Sequence, residues 1–270
     1  MSTESNYEKT AQYFFEVASE QRLMILKSIS QEKMTLSNLV QKLGATASEV
    51  HRNLERLTKA NIIFRDNSGY YHLTNFGKVI HFQIPVWQFM TANVKYFQKH
   101  GFAGLPPKFI QRMGDLLNSK YLNGFVRTQE QWKIIYKNAN EYIYNILYEV
   151  PYDPKLLETL AKKIRDGLTL NSIFSESAIV PTDRAELLNN SNFKKIIDEN
   201  LVKRKLKSDV KTIVVLNEKE ACVMFPTNDG DPDVSGMLYS SDPQFHDWCL
   251  DYFKYCWDNS TSFREEKIQK

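Results

Sequence analysis

Residues 45–57 read ATASEVHRNLERL. Wound as a helix, they place Ala47, Val50, Leu54 and Leu57 on one stripe, three or four residues apart. The other side carries Ser48, His51, Arg52, Glu55 and Arg56. Those side chains have the chemistry to meet nucleic acid. An Arg guanidinium pairs bidentately with guanine O6 and N7, and Ser or His bonds to bases or phosphates. Thr46 and the helix N-terminus beside it can hold a phosphate. Glu55 is the awkward member, because it repels phosphates unless it accepts from cytosine N4 or pairs with a neighbouring Arg. A polar helix face is also what any solvated helix shows, so the surrounding elements must decide.

Those elements have a definite order. Residues 7–30 carry two apolar stripes, Tyr13, Phe14, Val17 and Ala18, then Leu23, Leu26 and Ile29, with Ser19-Glu20-Gln21 as a break. The segment TLSNLVQKLG follows, with Leu36, Leu39, Val40 and Leu43 on one face. Gly44 is placed to stop that helix in a left-handed conformation. Thr46 and Glu49 form a T-x-x-E capping box that starts the next one. Two short helices joined by a tight turn are the outline of a helix-turn-helix, whose second helix enters the major groove. After Asn61 the period changes. IIFR and YYHLT, joined by DNSG, read as a hairpin. As a wing it would bring Arg65, Asn67 and Ser68 to the DNA backbone or minor groove.

The stretch from Asn75 to His100 is helical again, kinked or split at Pro85. It offers Val79, Phe82, Val86, Phe89, Val94 and Phe97 for a dimer contact. GFAGLPPKF, residues 101–109, holds two glycines and two prolines and reads as a linker. Beyond it, strands and helices alternate. TQEQWKIIYKNANE is helical and YIYNILYEV is a strand or a helix end. DPKLLETLAKKIRDG is a helix with Asp153 as cap, Pro154 in its first turn and Gly167 as stop. LTLNSIFSE is a strand, helical pieces lie near 183–200, KTIVVLN and EACVMFP form a hairpin, and SGMLYSS is a further strand. The last helix puts Phe245, Trp248, Cys249, Tyr252, Phe253, Cys256 and Trp257 on one face. That alternation is an α/β layer structure. The expected organisation is a helix-turn-helix domain at 1–74, linking and dimerisation helices at 75–104, and a C-terminal α/β domain at 105–265.

Composition limits the function classes. The chain has 270 residues, 42% of them hydrophobic, so about two domains can bury cores. A net charge of +3 gives no global signal for nucleic acid. Residues 1–80 hold ten Lys or Arg and eight Asp or Glu, so one module alone binds weakly and affinity needs two acting together. The cysteines are Cys222, Cys249 and Cys256. Odd, sparse and without CxxC spacing, they argue against disulfides and zinc and for a reducing compartment. The start lacks a signal peptide and no apolar stretch reaches membrane length, so a cytoplasmic protein with no membrane contact is expected.

FFEVASEQRLMILKSI, LSNLVQKLGATASEVHRNLERLTKANII and GYYHLTNFGK resemble the winged-helix domain of archaeal ArsR-type transcriptional regulators. VVLNEKEACVMFP and DGDPDVSGMLYSSDPQFHDWCLDYFKYCW are similar to the domain that follows it in the methanogenesis-regulator group. The resemblance implies a DNA-binding regulator, an N-terminal α+β winged helix-turn-helix with a C-terminal sensing or assembly domain; that it binds double-stranded DNA as a homodimer is expected because one module alone binds weakly. ArsR metal sites are cysteine clusters in the N-terminal helices. This chain has no cysteine before Cys222, so neither metal nor cofactor is expected. The C-terminal domain of such regulators is similar in outline to phospholipase D-like folds, whose chemistry needs a His nucleophile with a Lys two residues on. His51, His72, His81, His100 and His246 all lack that Lys, so the domain is expected without catalytic residues.

Other candidates in the second half have ordinary readings beside the functional ones. His246 and Asp247 are adjacent and point apart on a helix. Cys249 and Cys256 share a face as a possible thiol pair, but buried small hydrophobes are the favoured reading. Asp229, Asp231 and Asp233 lack the calcium-loop spacing and read as a turn. Trp132, Tyr136, Trp248 and Tyr252 could line a pocket for a small-molecule effector, although ordinary core packing is the favoured reading. A protein-binding scaffold, and an enzyme of unidentified chemistry in the C-terminal domain, remain the alternatives to a transcription regulator.

Overall fold

The two N-terminal stripes fold as two helices, α1 (Thr3–Val17) and α2 (Glu20–Gln31). The computed structural model describes residues 3–149, 153–179 and 192–264. The chain divides into two compact units, Met1–Trp87 and Gln88–Lys270. Among the described residues no helix is long and apolar enough to cross a membrane.

In the first unit α3 (Leu36–Leu43) and α4 (Ala47–Lys59) follow α2. Ile25 and Leu26 of α2, Leu39 of α3, and Val50, Leu54 and Leu57 of α4 close into one core. Each buried side chain contributes about 1.5–3 kcal/mol, against the few tenths that separate most helix propensities. Packing therefore decides which side of α4 is left outside. The hairpin β1 (Ile63–Arg65) and β2 (Tyr71–Leu73) pairs Phe64 with His72 and is tied back to the segment before α3 through Tyr71 N–H and Met34 O at 2.8 Å. Helix α5 (Asn75–Ala92) runs on through Pro85, so no split occurs there, and the division between the units falls within it.

The second unit opens with α6 (Val94–Phe97), α7 (Pro107–Ile110) and a tight turn at Met113–Leu116. Next come β3 (Lys120–Asn123), α8 (Phe125–Asn138), β4 (Tyr142–Glu149), α9 (Pro154–Arg165) and β5 (Thr169–Ile179). Then follow α10 (Asn192–Asp198), β6 (Val202–Lys207), β7 (Ile213–Asn217), β8 (Ala221–Met224), β9 (Gly236–Ser240), α11 (Pro243–Asp258) and β10 (Thr261–Ser262). The strands form one sheet in the order β10-β6-β5-β4-β7-β8-β9-β3, parallel at β4–β5 and β5–β6 and antiparallel elsewhere. Residues alternate across β4. Tyr144 stacks on Phe253 of α11 at 4.8 Å, while Ile143 and Leu147 join the core of α8 and α9. The part of the expected helical stretch 183–200 before residue 192, and the last residue of the expected domain 105–265, lie outside the described residues.

Two expectations need correction. Residues 101–109 are not a free linker. Leu105 and Phe109 are buried, Gly101 N–H donates to Pro226 O at 2.9 Å, and Phe109 packs edge-on against Trp248 and Tyr252. Glycines and prolines bend this segment so that its apolar side chains enter the second unit. Phe89 is not available for a dimer contact either. It is fully buried against Phe97, whereas Val79, Phe82 and Val94 are exposed.

Candidate nucleic-acid interface

The turn between α3 and α4 is built as its residue types require. Gly44 takes φ 60° and ψ 28°, the left-handed conformation that ends α3. Thr46 caps α4. Its Oγ1 accepts from Glu49 N–H at 3.3 Å, and its own N–H and hydroxyl donate to the Glu49 carboxylate at 3.0 and 2.8 Å. A second capping box, Thr35 with Asn38, starts α3. Thr46 is therefore committed to the cap. The Glu49 carboxylate sits on the Thr46 N–H and hydroxyl, and Thr46 itself is exposed at the helix start.

Beyond the cap, Ser48, His51, Arg52 and Glu55 are exposed along one side of α4, while Val50, Leu54 and Leu57 are buried on the other. Arg56 departs from the expected set. Its guanidinium grips Glu16 of α1 with two hydrogen bonds of 3.0 Å, Nε to Oε2 and Nη2 to Oε1, and lies over the Phe15 ring at 5.4 Å. That fork holds the Glu16 carboxyl below its usual range. At the last turn of α4 the side chain faces α1 rather than outward, so Arg56 is a structural clamp.

Arg22, which the sequence reading passed over, completes that clamp. It is buried, and donates to Glu16 O at 2.6 Å, Phe15 O at 3.0 Å and Asn53 Oδ1 at 3.4 Å. It thus satisfies carbonyls at the end of α1 that no helical N–H reaches, and links them to α4. No local pattern around Arg22 signals this.

The hairpin tip is braced by Asp66. Asp66 Oδ1 accepts from the N–H groups of Ser68 and Tyr70, both at 2.9 Å, and Oδ2 meets His72 Nε2 at 2.8 Å. Gly69 supplies the positive φ of 88° that closes the loop. Asn67 and Ser68 are exposed at the tip. Arg65 is exposed as well, but folds back, with Nε donating to Gly69 O at 3.4 Å and the guanidinium 5.8 Å from the Tyr71 ring. The geometry thus gathers Ser48, His51 and Arg52 on one helix face and Asn67 and Ser68 on the hairpin, while the Thr46 side chain is engaged by Glu49 and the Arg56 side chain by Glu16.

Three carboxyls in this unit are held below their ordinary values. Hydrogen bonds from Arg56 act on Glu16, from Thr46 on Glu49 and from His72 on Asp66. Groups lowered in the folded state stabilise it above their ordinary values, and that contribution is lost as pH falls through the lowered ones. The melting midpoint of the first unit is expected to fall from about pH 4.5 downward. Calorimetry over an acid series checks this, and Glu49→Gln should flatten the dependence.

The pocket expectation separates by sheet face. Trp132 and Tyr136 of α8 line a cavity against β4 and α9. Trp248 and Tyr252 of α11 do not. They pack with Phe109, and Trp248 with Phe225, where Trp248 Nε1 donates to Phe109 O at 3.1 Å. Periodicity put Trp248 and Tyr252 on one helix face but could not say which side of the sheet that helix covers. Cys222, Cys249 and Cys256 are free and buried.

Residues 10–87 match the family described as the HVO_A0261 N-terminal domain, a span that ends where the first compact unit ends. No curated protein matches the chain. Among solved structures it is similar to TrmBL2, an archaeal chromatin protein described as showing a novel mode of DNA binding. The identity is 12%, over 97% of this chain and 100% of that one, with a TM-score of 0.41. Nuc from Salmonella typhimurium, a phospholipase D family member, is 9% identical over 55% of this chain and 99% of its own, with a TM-score of 0.40. NucT from Helicobacter pylori is 11% identical over 54% and 99%, with a TM-score of 0.39. Scores of this size fall short of a shared fold.

Proposed function

We propose that this chain is a sequence-specific DNA-binding transcriptional regulator of the archaeal ArsR-like winged-helix type, acting in the cytoplasm as a homodimer and without enzymatic activity. The observation that carries the reading is the two-sided build of α4. Val50, Leu54 and Leu57 anchor it, and Ser48, His51 and Arg52 stand exposed on the opposite side behind a capped turn. In a helix-turn-helix the N-terminal half of the second helix meets base edges. The hairpin serves as wing, with Asn67 and Ser68 at its tip.

With Arg56 held by Glu16, Arg52 is the forked donor left at the reading position. One such donor per chain makes a pair of modules necessary, and a two-fold pair reads a pseudo-palindromic operator. Exposed Phe14, Phe15, Val79, Phe82 and Trp87 give the first unit apolar surface for self-association. The second unit would act as the sensing or assembly domain.

Arg52→Ala is expected to weaken binding to an operator fragment by about 1–3 kcal/mol and to relax base choice at the position it reads. A gel-shift titration on fragments selected from genomic DNA measures both. Arg56→Ala should lower stability with no loss of base choice. If operator affinity survives Arg52→Ala unchanged, α4 is not the reading helix.

A further inference from the structure

We infer that the second unit holds the backbone of duplex DNA against a basic row on β6, led by Lys203 and Lys207. The choice of partner rests on the proposed function, because a first unit seated on DNA keeps the second unit close to the same duplex. Residues 192–207 hold six Lys or Arg and two carboxylates, whereas the whole chain carries a net charge of only +3. The rest of the chain is therefore slightly acidic, and its excess positive charge is concentrated here.

Strand geometry gathers that charge. Side chains alternate across a strand, so Lys203, Lys205 and Lys207 share one side of β6 and Arg204 takes the other. Lys205 identifies the side. Its Nζ donates to Trp257 O at 2.7 Å, near the end of α11, and lies 4.7 Å from the centre of the Trp257 ring. Lys205 is thus spent on the fold. Lys203 is exposed and Lys207 half-buried, and among the described residues neither pairs with a carboxylate. Of the two carboxylates in the segment, Asp198 is paired with Lys194, and Glu199 stands exposed. β10 covers β6 only at Lys205 and Leu206, so among the described residues the edge at Val202–Arg204 is open. Because β10 runs antiparallel to β6, the exposed Arg264 that follows it lies toward the Lys203 end.

Edge strands commonly carry a lysine that discourages pairing with other chains, and one is enough for that. β3, at the opposite edge of the sheet, has Lys120 alone. β6 has three lysines and an arginine in six residues. Phosphate is the group such a row fits. Ammonium groups that neutralise phosphates release the counterions condensed on a duplex, and do so without reading base edges. These contacts add affinity to a first unit that has one forked donor at its reading position.

The test measures binding of the full chain to a random-sequence duplex across a salt series. Lys203→Thr combined with Lys207→Thr is expected to lower the slope of log affinity against log salt by about two, since each lysine on a phosphate contributes about 0.9. Lys120→Thr, which removes a lysine from the opposite edge, should leave the slope as it is. In the native chain, bound duplex should slow acetylation of Lys203 and Lys207 several-fold, read by mass spectrometry, and not that of Lys120. That readout decides even if the double variant fails to fold. An unchanged slope with both lysines unprotected, or a drop of the same size per lysine in Lys120→Thr, overturns the inference. Protection of the two lysines by vesicles of anionic lipid but not by duplex overturns it as well, and assigns the row to a membrane surface. Base choice is scored separately, by Arg52→Ala on an operator fragment. If that variant relaxes base choice while the β6 lysines prove silent, the regulator reading stands and this inference falls. Lysine protection in a chain without base choice gives the reverse.

Discussion

Replacing Trp248 by alanine is expected to cost the second unit about 3–5 kcal/mol. Trp248 is fully buried on α11, and lies 5.5 Å from Phe109, 5.7 Å from Tyr252 and 6.1 Å from Phe225, ring centre to ring centre. Truncation leaves a cavity that these rings cannot close, and removes one of the donors to Phe109 O, which keeps the Arg112 N–H at 3.2 Å. The latter effect ties α11 to the 101–109 segment. Trp248→Phe keeps most of the volume and should cost less, with the loss of that hydrogen bond remaining. Urea denaturation followed by circular dichroism measures both variants. A midpoint for Trp248→Ala equal to that of the native chain would contradict this packing.

Gly77→Ala is expected to destabilise the first unit by about 3 kcal/mol, because overpacking that pushes on backbone has no cheap relief. A Cβ at Gly77 would lie 1.9 Å from Ile62 O and 3.0 Å from Ile62 C. Ile62 is itself fully buried and leads from α4 into the hairpin. Thr74 bridges the same junction, donating to Asn61 O at 2.8 Å and accepting from Gly77 N–H at 2.9 Å. Any shift that relieves the clash therefore moves α5 away from the start of the hairpin. The thermal midpoint of the first unit should drop, and operator affinity should fall with it. Full retention of both would mean that the junction is loose.

Local rules made much of this legible in the sequence. Gly44, the Thr46–Glu49 box, the Asp153 cap and the stop at Gly167, with φ 108°, depend on residues within a turn of one another. The apolar stripes of α4 and α11 were readable for the same reason. What escaped depends on distant partners. Arg56 meets Glu16 across forty residues of chain, and nothing near either announces the pair. Arg22 donates to two carbonyls of another helix and to the Asn53 side chain of α4. Residues 101–109 look like a linker because glycine and proline dominate the pattern, while Leu105 and Phe109 alone show that the segment is anchored.

The capped, two-sided α4 is the feature on which the proposed function stands, and binding to double-stranded DNA is its direct consequence. The measurement is retention of the full chain on genomic duplex fragments across a salt series, by fluorescence anisotropy. The account predicts tight binding at low salt that falls steeply as salt rises, in proportion to the phosphates neutralised. Failure to retain any fragment even at low salt would contradict it, and would turn the exposed face of α4 and the apolar surface of α1 and α5 toward a protein partner.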